Sequence, residues 1–228
     1  MKYIILGHEN PDVDSLVTGY LVEKIIKKYG YEAEFIIPDL KVLDESYNLC
    51  CKYGLDIKKY QKELNYVSGD RFILVDHHER DVPGEIFAIV DHHPVVNKLN
   101  GLGNISYYVN EKACSTSCLL IRKYINELSE KDLKLACLAA FVDTASFHST
   151  KTVDDDVEMI QRICKQYNFN YEKLYKDGLC LTDISNINEA CFNGLKKYNI
   201  NDYQIYASSI QIIDIKSKTE IIDNMIEI

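Results

Sequence analysis

The sequence places Val75-Asp76-His77-His78-Glu79 directly behind the apolar run FIL, and repeats the figure at Val90-Asp91-His92-His93-Pro94 behind FAI. Short apolar runs closed by polar residues read as buried strands. Two such runs with the same ending predict neighbouring strand ends facing one site, not a structural repeat. Further runs fit the pattern. Residues 2–7 and 33–37 read as strands, and residues 15–30, 45–53, 113–128, 131–141 and 154–166 as helices, the first capped by Ser15 and stopped by Gly30. Strands alternating with helices predict an α/β fold: an open, mostly parallel sheet flanked by helices. That domain is expected over residues 1–187. Residues 188–228 read as a linker and an incomplete second-domain element, a strand at 203–214 and a helix at 216–226, too little to close a core alone.

Composition narrows the class. With 46% hydrophobic and 27% charged residues the chain is of ordinary globular type. No apolar run approaches the roughly 20 residues of a membrane helix, and the start MKYIILGH reads as a first strand rather than a signal peptide, so a cytoplasmic protein without a membrane partner is expected. The 8 cysteines form no CxxC pair and are expected to be mostly buried thiols. A net charge of −9 argues against a broad nucleic-acid surface but not against a small anionic substrate, because bound cations reverse the field locally.

Three segments carry chemistry. His8-Glu9-Asn10-Pro11-Asp12-Val13-Asp14-Ser15 lies between the first strand and helix. Either Asp12 or Asp14 caps that helix, or the crowded carboxylates and imidazole share a cation that offsets their repulsion and lost solvation. In the Asp-His-His pair, Asp76 ends one strand and Asp91 the other; a carboxylate can bridge two ions and an imidazole can bind one terminally. Asp91 is expected to support the neighbouring His92, since metal-bound histidines commonly donate their other N–H to a carboxylate. Asp143 interrupts the apolar run LACLAAFV and needs a compensating metal, cap or hydrogen bond. Asp and His without a thiolate pattern suit Mn²⁺, Mg²⁺ or Co²⁺ better than structural zinc. Two divalent ions roughly 3.5–4 Å apart can clamp a nucleophilic hydroxide and a phosphorus.

GHENPDVDS, LVDHH, VDHHP and AFVDTASFHS together resemble the four motifs of the DHH phosphoesterase superfamily, most closely the family II, manganese-dependent inorganic pyrophosphatases. The likeness extends to Tyr107-Tyr108, Glu111, Cys114-Ser115-Thr116 and the stretch from Lys196 to Ile213. It implies that His8 and Asp12 hold one metal, that Asp14, His92 and Asp143 hold the other, and that Asp76 bridges them at the catalytic centre. It implies that His93 touches substrate and assists proton transfer at the leaving phosphate, and that Lys196 binds phosphate. The expected reaction is hydrolysis of inorganic pyrophosphate through a metal-bound hydroxide, and a homodimer is plausible by the same resemblance. His78 stands where these pyrophosphatases usually carry Asn and joins the substrate-binding residues. It keeps open a DHH hydrolase of short polyphosphate, a nucleotide or an oligonucleotide, although no GGGH-type segment is present. A metal-binding domain of weak activity is the third reading. The family's second domain brings further basic residues over the substrate, and with Ile228 as the last residue the expectation is weak substrate affinity.

Overall fold

The computed structural model describes residues 1–38, 42–95, 105–179, 196–200 and 203–207, the 196–200 segment by its backbone alone. The chain divides into two compact units, Met1–Gly178 and Leu179–Ile228. The first contains β1 (Tyr3–Leu6), α1 (Val13–Lys28), β2 (Ala33–Ile36), α2 (Asp44–Lys52), β3 (Arg71–Val75), β4 (Glu85–Asp91), β5 (Tyr107–Asn110), α3 (Thr116–Tyr124), α4 (Glu130–Asp143), α5 (Asp154–Gln166) and α6 (Tyr171–Gly178). The second contains β6 (Lys196–Ile200) and β7 (Tyr203–Ala207), an antiparallel pair.

The sheet of the first unit is parallel throughout, in the order β2-β1-β3-β4-β5. Its inner strands β1, β3 and β4 are apolar on both faces, as the middle of a parallel sheet requires, while β2 and β5 form its edges. Ile5, Ile73, Val75, Ala88 and Val90 join the large core built with α1, α3 and α4. Ile4, Leu6, Phe72, Leu74 and Ile89 form a second cluster, against which Leu64, Val82 and Ile105 pack. Among the described residues, every helix contributing to a core lies with the first cluster.

Strand order places a switch between β1 and β3, because the chain leaves β1 for β2 on one side and returns to β3 on the other. Ligands of open α/β sheets bind at such a crevice, beyond the carboxyl ends of the strands. Register brings the motifs there. Leu6 pairs with Leu74 and Val75 with Val90, so the residues that follow (His8, Asp76 and Asp91) arrive at one rim.

α1 begins two residues before the expected start. Its cap is Asp12, whose Oδ1 accepts the Ser15 backbone N–H at 3.0 Å. Ser15 is left free to brace the preceding turn, and its Oγ accepts the His8 backbone N–H at 3.2 Å. Residues 113–128 resolve into α3, capped by Ser115, followed by a single 3₁₀ turn. β5, α6 and β6 were not among the expected elements. Cys50, Cys114, Cys118, Cys137 and Cys164 are buried thiols, whereas Cys51 is exposed. Cys180, Cys191, the end of the expected strand at 203–214 and the expected helix at 216–226 lie outside the described residues.

α1 lies close against β2 because Gly19 has no side chain: a Cβ there would sit 2.2 Å from the ring of the buried Phe35. Gly19→Ala gains at most about 1 kcal/mol in helix propensity, while overpacking a filled core costs about 1–3 kcal/mol. Net destabilisation is expected, read as a lower urea midpoint with an unchanged m-value. An equal or higher midpoint would show that Phe35 can move aside.

Candidate metal centre

Asp76 follows β3 with φ of 63°, a left-handed conformation that Asp tolerates better than most residues. Its N–H still donates to the Val90 carbonyl at 2.9 Å, which fixes the backbone to β4. The side chain is buried. Thr116 Oγ1 donates to Oδ1 at 2.8 Å, and Oδ2 has no hydrogen-bond partner. On one side His8 Nε2 stands 3.5 Å from Oδ2; on the other, His92 Nε2 stands 3.6 Å from Oδ1. Asp76 therefore lies between the two imidazoles.

Around His8, Asp12 Oδ1 lies 3.6 Å from Nε2. Around His92, Asp143 Oδ2 lies 3.1 Å from Nε2, close enough for strong attraction but out of line for a well-formed hydrogen bond. Asp14 completes this second group. Its carboxylate, in the first turn of α1, accepts N–H groups from Thr116 at 2.6 Å and Ser117 at 3.1 Å, and the Thr18 hydroxyl at 3.2 Å. It thus rests on the N-terminus of α3, where the helix dipole favours negative charge.

Donor atoms gather into three sets, each within 4.8 Å: His8, Asp12 and Asp76; Asp14, His92 and Asp143; and Asp76, His92 and His93. Metal–donor bonds of about 2.0–2.2 Å put neighbouring ligands about 3 Å or slightly more apart. The 3.1–3.6 Å separations suit donors surrounding an ion. The imidazoles are oriented for it as well. Nδ1 of His8 lies 2.8 Å from the Glu9 carbonyl and Nδ1 of His92 lies 3.0 Å from that of Ala113, so each ring can donate there and leave an Nε2 lone pair for a cation. Orphaned buried atoms on Asp76, His92 and Asp143 are the cost of this arrangement without a cation. The residues present fit a pair of divalent ions.

Electrostatics agree. Burial, then the charges of Asp14, Asp12 and Asp143, push the Asp76 carboxyl well above the usual carboxylate range. Asp14 is also raised, first by burial and then by Asp143 and Asp12, against the charge of His92 and the α3 N–H groups. Burial works against charging His92, but Asp143 and Asp14 outweigh it and bring the imidazole up to about 9. Burial likewise opposes ionising Asp12, but His8 and the Ser15 N–H bring it down to about 2. A cation would replace the protons that this crowding retains.

Asp91 plays a different part from the expected one. It touches the backbone of His92, but not that ring: Oδ1 accepts the N–H groups of His92 and His93 at 2.8 and 3.1 Å, and lies 2.9 Å from His93 Nδ1. Its Oδ2 lies 2.6 Å from Nδ1 of the buried His78. His78 and His93 are thereby joined through one carboxylate, with His93 the more exposed. His77 turns away from Asp91: its Nδ1 meets the Val75 carbonyl at 2.9 Å, and burial holds its imidazole down to about 4. Lys196 opens β6 in the second unit, and its side chain lies outside the described groups.

Thr18, Thr116, Ser117 and Lys151 complete the site; Thr116 falls in the Cys114-Ser115-Thr116 likeness without an assigned role, and the other three were not expected from sequence. Thr116 and Ser117 act partly through backbone N–H groups that any non-proline residue supplies, so only the Ser-Thr-Ser helix start could have hinted at them.

The fold and site define an α/β protein with a cluster of carboxylates and imidazoles, able to hold metal, at the switch point of a parallel sheet. The profile of the DHH family, N-terminal domain, matches residues 2–144, and the chain belongs to that family. It is 26% identical to a Lactobacillus helveticus protein named as a probable manganese-dependent inorganic pyrophosphatase, across 96% of this chain and 73% of the relative. A Clostridium acetobutylicum protein of the same name is 25% identical, across 95% of this chain and 72% of the relative. Among solved structures, a Methanococcus jannaschii protein described as a putative family II inorganic pyrophosphatase superposes with a TM-score of 0.68 at 22% identity, covering 99% of this chain and 77% of that one. An exopolyphosphatase-related protein from Bacteroides fragilis gives 0.61 at 15% identity, covering 86% and 62%. These structural likenesses concern the fold. The resemblance read from the four motifs agrees with the family match and with the names of the relatives.

Proposed function

We propose that the chain is a two-metal phosphohydrolase that cleaves inorganic pyrophosphate to orthophosphate, with Mn²⁺ as the preferred ion. The observation that carries this reading is Asp76: one buried carboxylate belongs to two donor sets, one with His8 and Asp12, the other with His92 and His93, the latter beside Asp14 and Asp143. The names of the relatives support the substrate and the metal.

His8, Asp12 and Asp76 would hold one ion, and Asp14, Asp76, His92 and Asp143 the other. Bound there, two divalent ions supply Lewis acidity toward phosphate oxygens and lower the pKa of water. The chain's own residues supply position and proton traffic. Asp91 orients the partly exposed His93 through two backbone N–H groups and Nδ1, leaving Nε2 for the departing phosphate. The α3 N-terminus and Thr116 hold Asp14 and Asp76 without competing for every lone pair. His78, tied to the same carboxylate as His93, acts on substrate choice through that ring.

Orthophosphate release from pyrophosphate, triphosphate, a nucleoside triphosphate and a dinucleotide, each with Mn²⁺, Mg²⁺ and Co²⁺, tests the proposal. Pyrophosphate with Mn²⁺ is expected to give the highest kcat/KM. Intact pyrophosphate alongside cleavage of another compound would reassign the substrate. Mn²⁺ binding with no cleavage of any substrate would remove the enzymatic reading.

A further inference from the structure

Asp143 is the last residue of α4, at the helix end where the dipole disfavours a carboxylate. Its two oxygens face different ways. Oδ2 meets His92 in the centre, and Oδ1 accepts from Lys151 Nζ at 2.6 Å. The chain makes this contact by an unusual route. Ala145, Ser146 and Phe147 all have positive φ, at 46°, 55° and 70°. Consecutive left-handed residues are costly, and these are held by Phe147 N–H donating to Thr144 Oγ1 and by the Ser146 hydroxyl donating to the Tyr175 carbonyl. The turn sends the chain back over the end of α4. Ser149 Oγ then accepts the Lys151 backbone N–H at 3.1 Å, and Lys151 meets the carboxylate eight residues behind it. Strain of this kind gathers at functional sites.

An ion pair this exposed contributes little to stability: the Lys151 side chain is 42% exposed and that of Asp143 is 10%. What distinguishes Lys151 is its position. Its ammonium sits on the outer oxygen of a carboxylate whose other oxygen faces His92, so it stands at the rim of the centre beside the ion site of Asp14, His92 and Asp143. Four carboxylates and two divalent ions cancel formally. The ammonium is then a surplus positive charge at the solvent-facing side of the centre, repelled by the ions and carried on a flexible stem. The group able to use it is the incoming anion.

We propose that Lys151 is a substrate-binding residue that leaves Asp143 Oδ1 to contact a phosphate oxygen of a phosphoanhydride bound at the metal centre. This rests on the two-metal phosphohydrolase reading above and adds the residue by which this unit's own rim recognises the anion. A role in supporting the metal ligand is the competing account, and the two differ in what they move.

The test uses the full chain loaded with Mn²⁺ and methylenediphosphonate, a non-hydrolysable diphosphonate, in calorimetric titrations of wild type, Lys151→Met and Lys151→Arg. Met keeps the stem and removes the charge. Losing one charge-assisted contact should weaken diphosphonate binding about tenfold, and Arg should restore most of it. KM for pyrophosphate should rise in parallel, more than kcat falls, while Mn²⁺ affinity changes less than about threefold. An unchanged diphosphonate Kd in Lys151→Met would overturn the assignment. So would a loss of Mn²⁺ affinity equal to the loss of diphosphonate affinity, or a wild type that does not bind the diphosphonate. Diphosphonate bound but pyrophosphate left uncleaved by wild type would instead remove the proposed reaction, with Lys151 still decided by the ratio of Kd values. Pyrophosphate cleaved with the same KM in Lys151→Met would remove Lys151 and leave the reaction standing.

Discussion

Asp76→Asn is expected to reduce Mn²⁺-dependent orthophosphate release by about 10³-fold or more, while the metal-free variant is more stable at pH 8 than the metal-free wild type. The activity loss follows from position. Asp76 lies between His8 and His92 and is the carboxylate common to two donor sets. Changing groups that merely support metal ligands costs about 10–100-fold, so losing a shared ligand should cost more. The stability gain follows from charge. Burial and three neighbouring carboxylates hold the Asp76 carboxyl well above its ordinary range, so ionising it opposes the fold. Asn removes that burden, tolerates the left-handed φ of 63° and can still accept from Thr116. Ala would confuse the result with backbone strain. The account fails here if the variant retains activity within tenfold of wild type, or if EDTA-treated Asn variant unfolds at a lower urea concentration.

The second large effect concerns pH. His92 titrates near 6.5 when unfolded and is raised to about 9 in the fold. Its stabilising contribution is therefore complete below pH 6.5 and is lost as pH climbs to about 9. Asp76 acts in the same sense: its carboxyl is raised, so the fold weakens as pH rises from the unfolded value of 3.8 through the folded one. Asp12 and Asp91, both down to about 2, contribute stability that is lost only as pH falls below about 4, outside this window. Metal-free protein should thus lose stability between pH 6.5 and 9, with about 3 kcal/mol as the ceiling for the His92 share. A saturating divalent ion should flatten or reverse the slope, because ligands bind metal in their deprotonated forms. Urea unfolding at several pH values, with EDTA and with metal, reads both slopes. Equal stability of the EDTA-treated protein at pH 6.5 and 9 would contradict the charge balance described for the centre.

Much of this site was legible in the sequence because its donors are side chains at strand ends. Two Asp-His-His figures behind apolar runs implied neighbouring strands, and the register of Val75 with Val90 places them so. What the sequence hid was mostly backbone. Asp12 and Ser15 are both good capping residues, and only the helix geometry shows Asp12 in that role while Ser15 reaches back to His8. Asp91 was expected to support the ring of its sequence neighbour His92. Instead its oxygens reach the rings of His93 and His78, and the His92 ring finds the Ala113 carbonyl, far along the chain. β5 escaped notice because Tyr107–Asn110 is four residues long and none of them is fully buried. Lys151 escaped because nothing in its local sequence announces a left-handed turn that carries it back to Asp143.

Two ions joined through Asp76 are the centre of the account. Anomalous diffraction at the manganese edge, from crystals of the full chain grown with Mn²⁺, tests that most directly. The expected result is two peaks roughly 3.5–4 Å apart, one beside His8 and Asp12, the other beside Asp14, His92 and Asp143, with the Asp76 carboxylate between them. A single peak, or peaks that leave Asp76 uncoordinated, would contradict it.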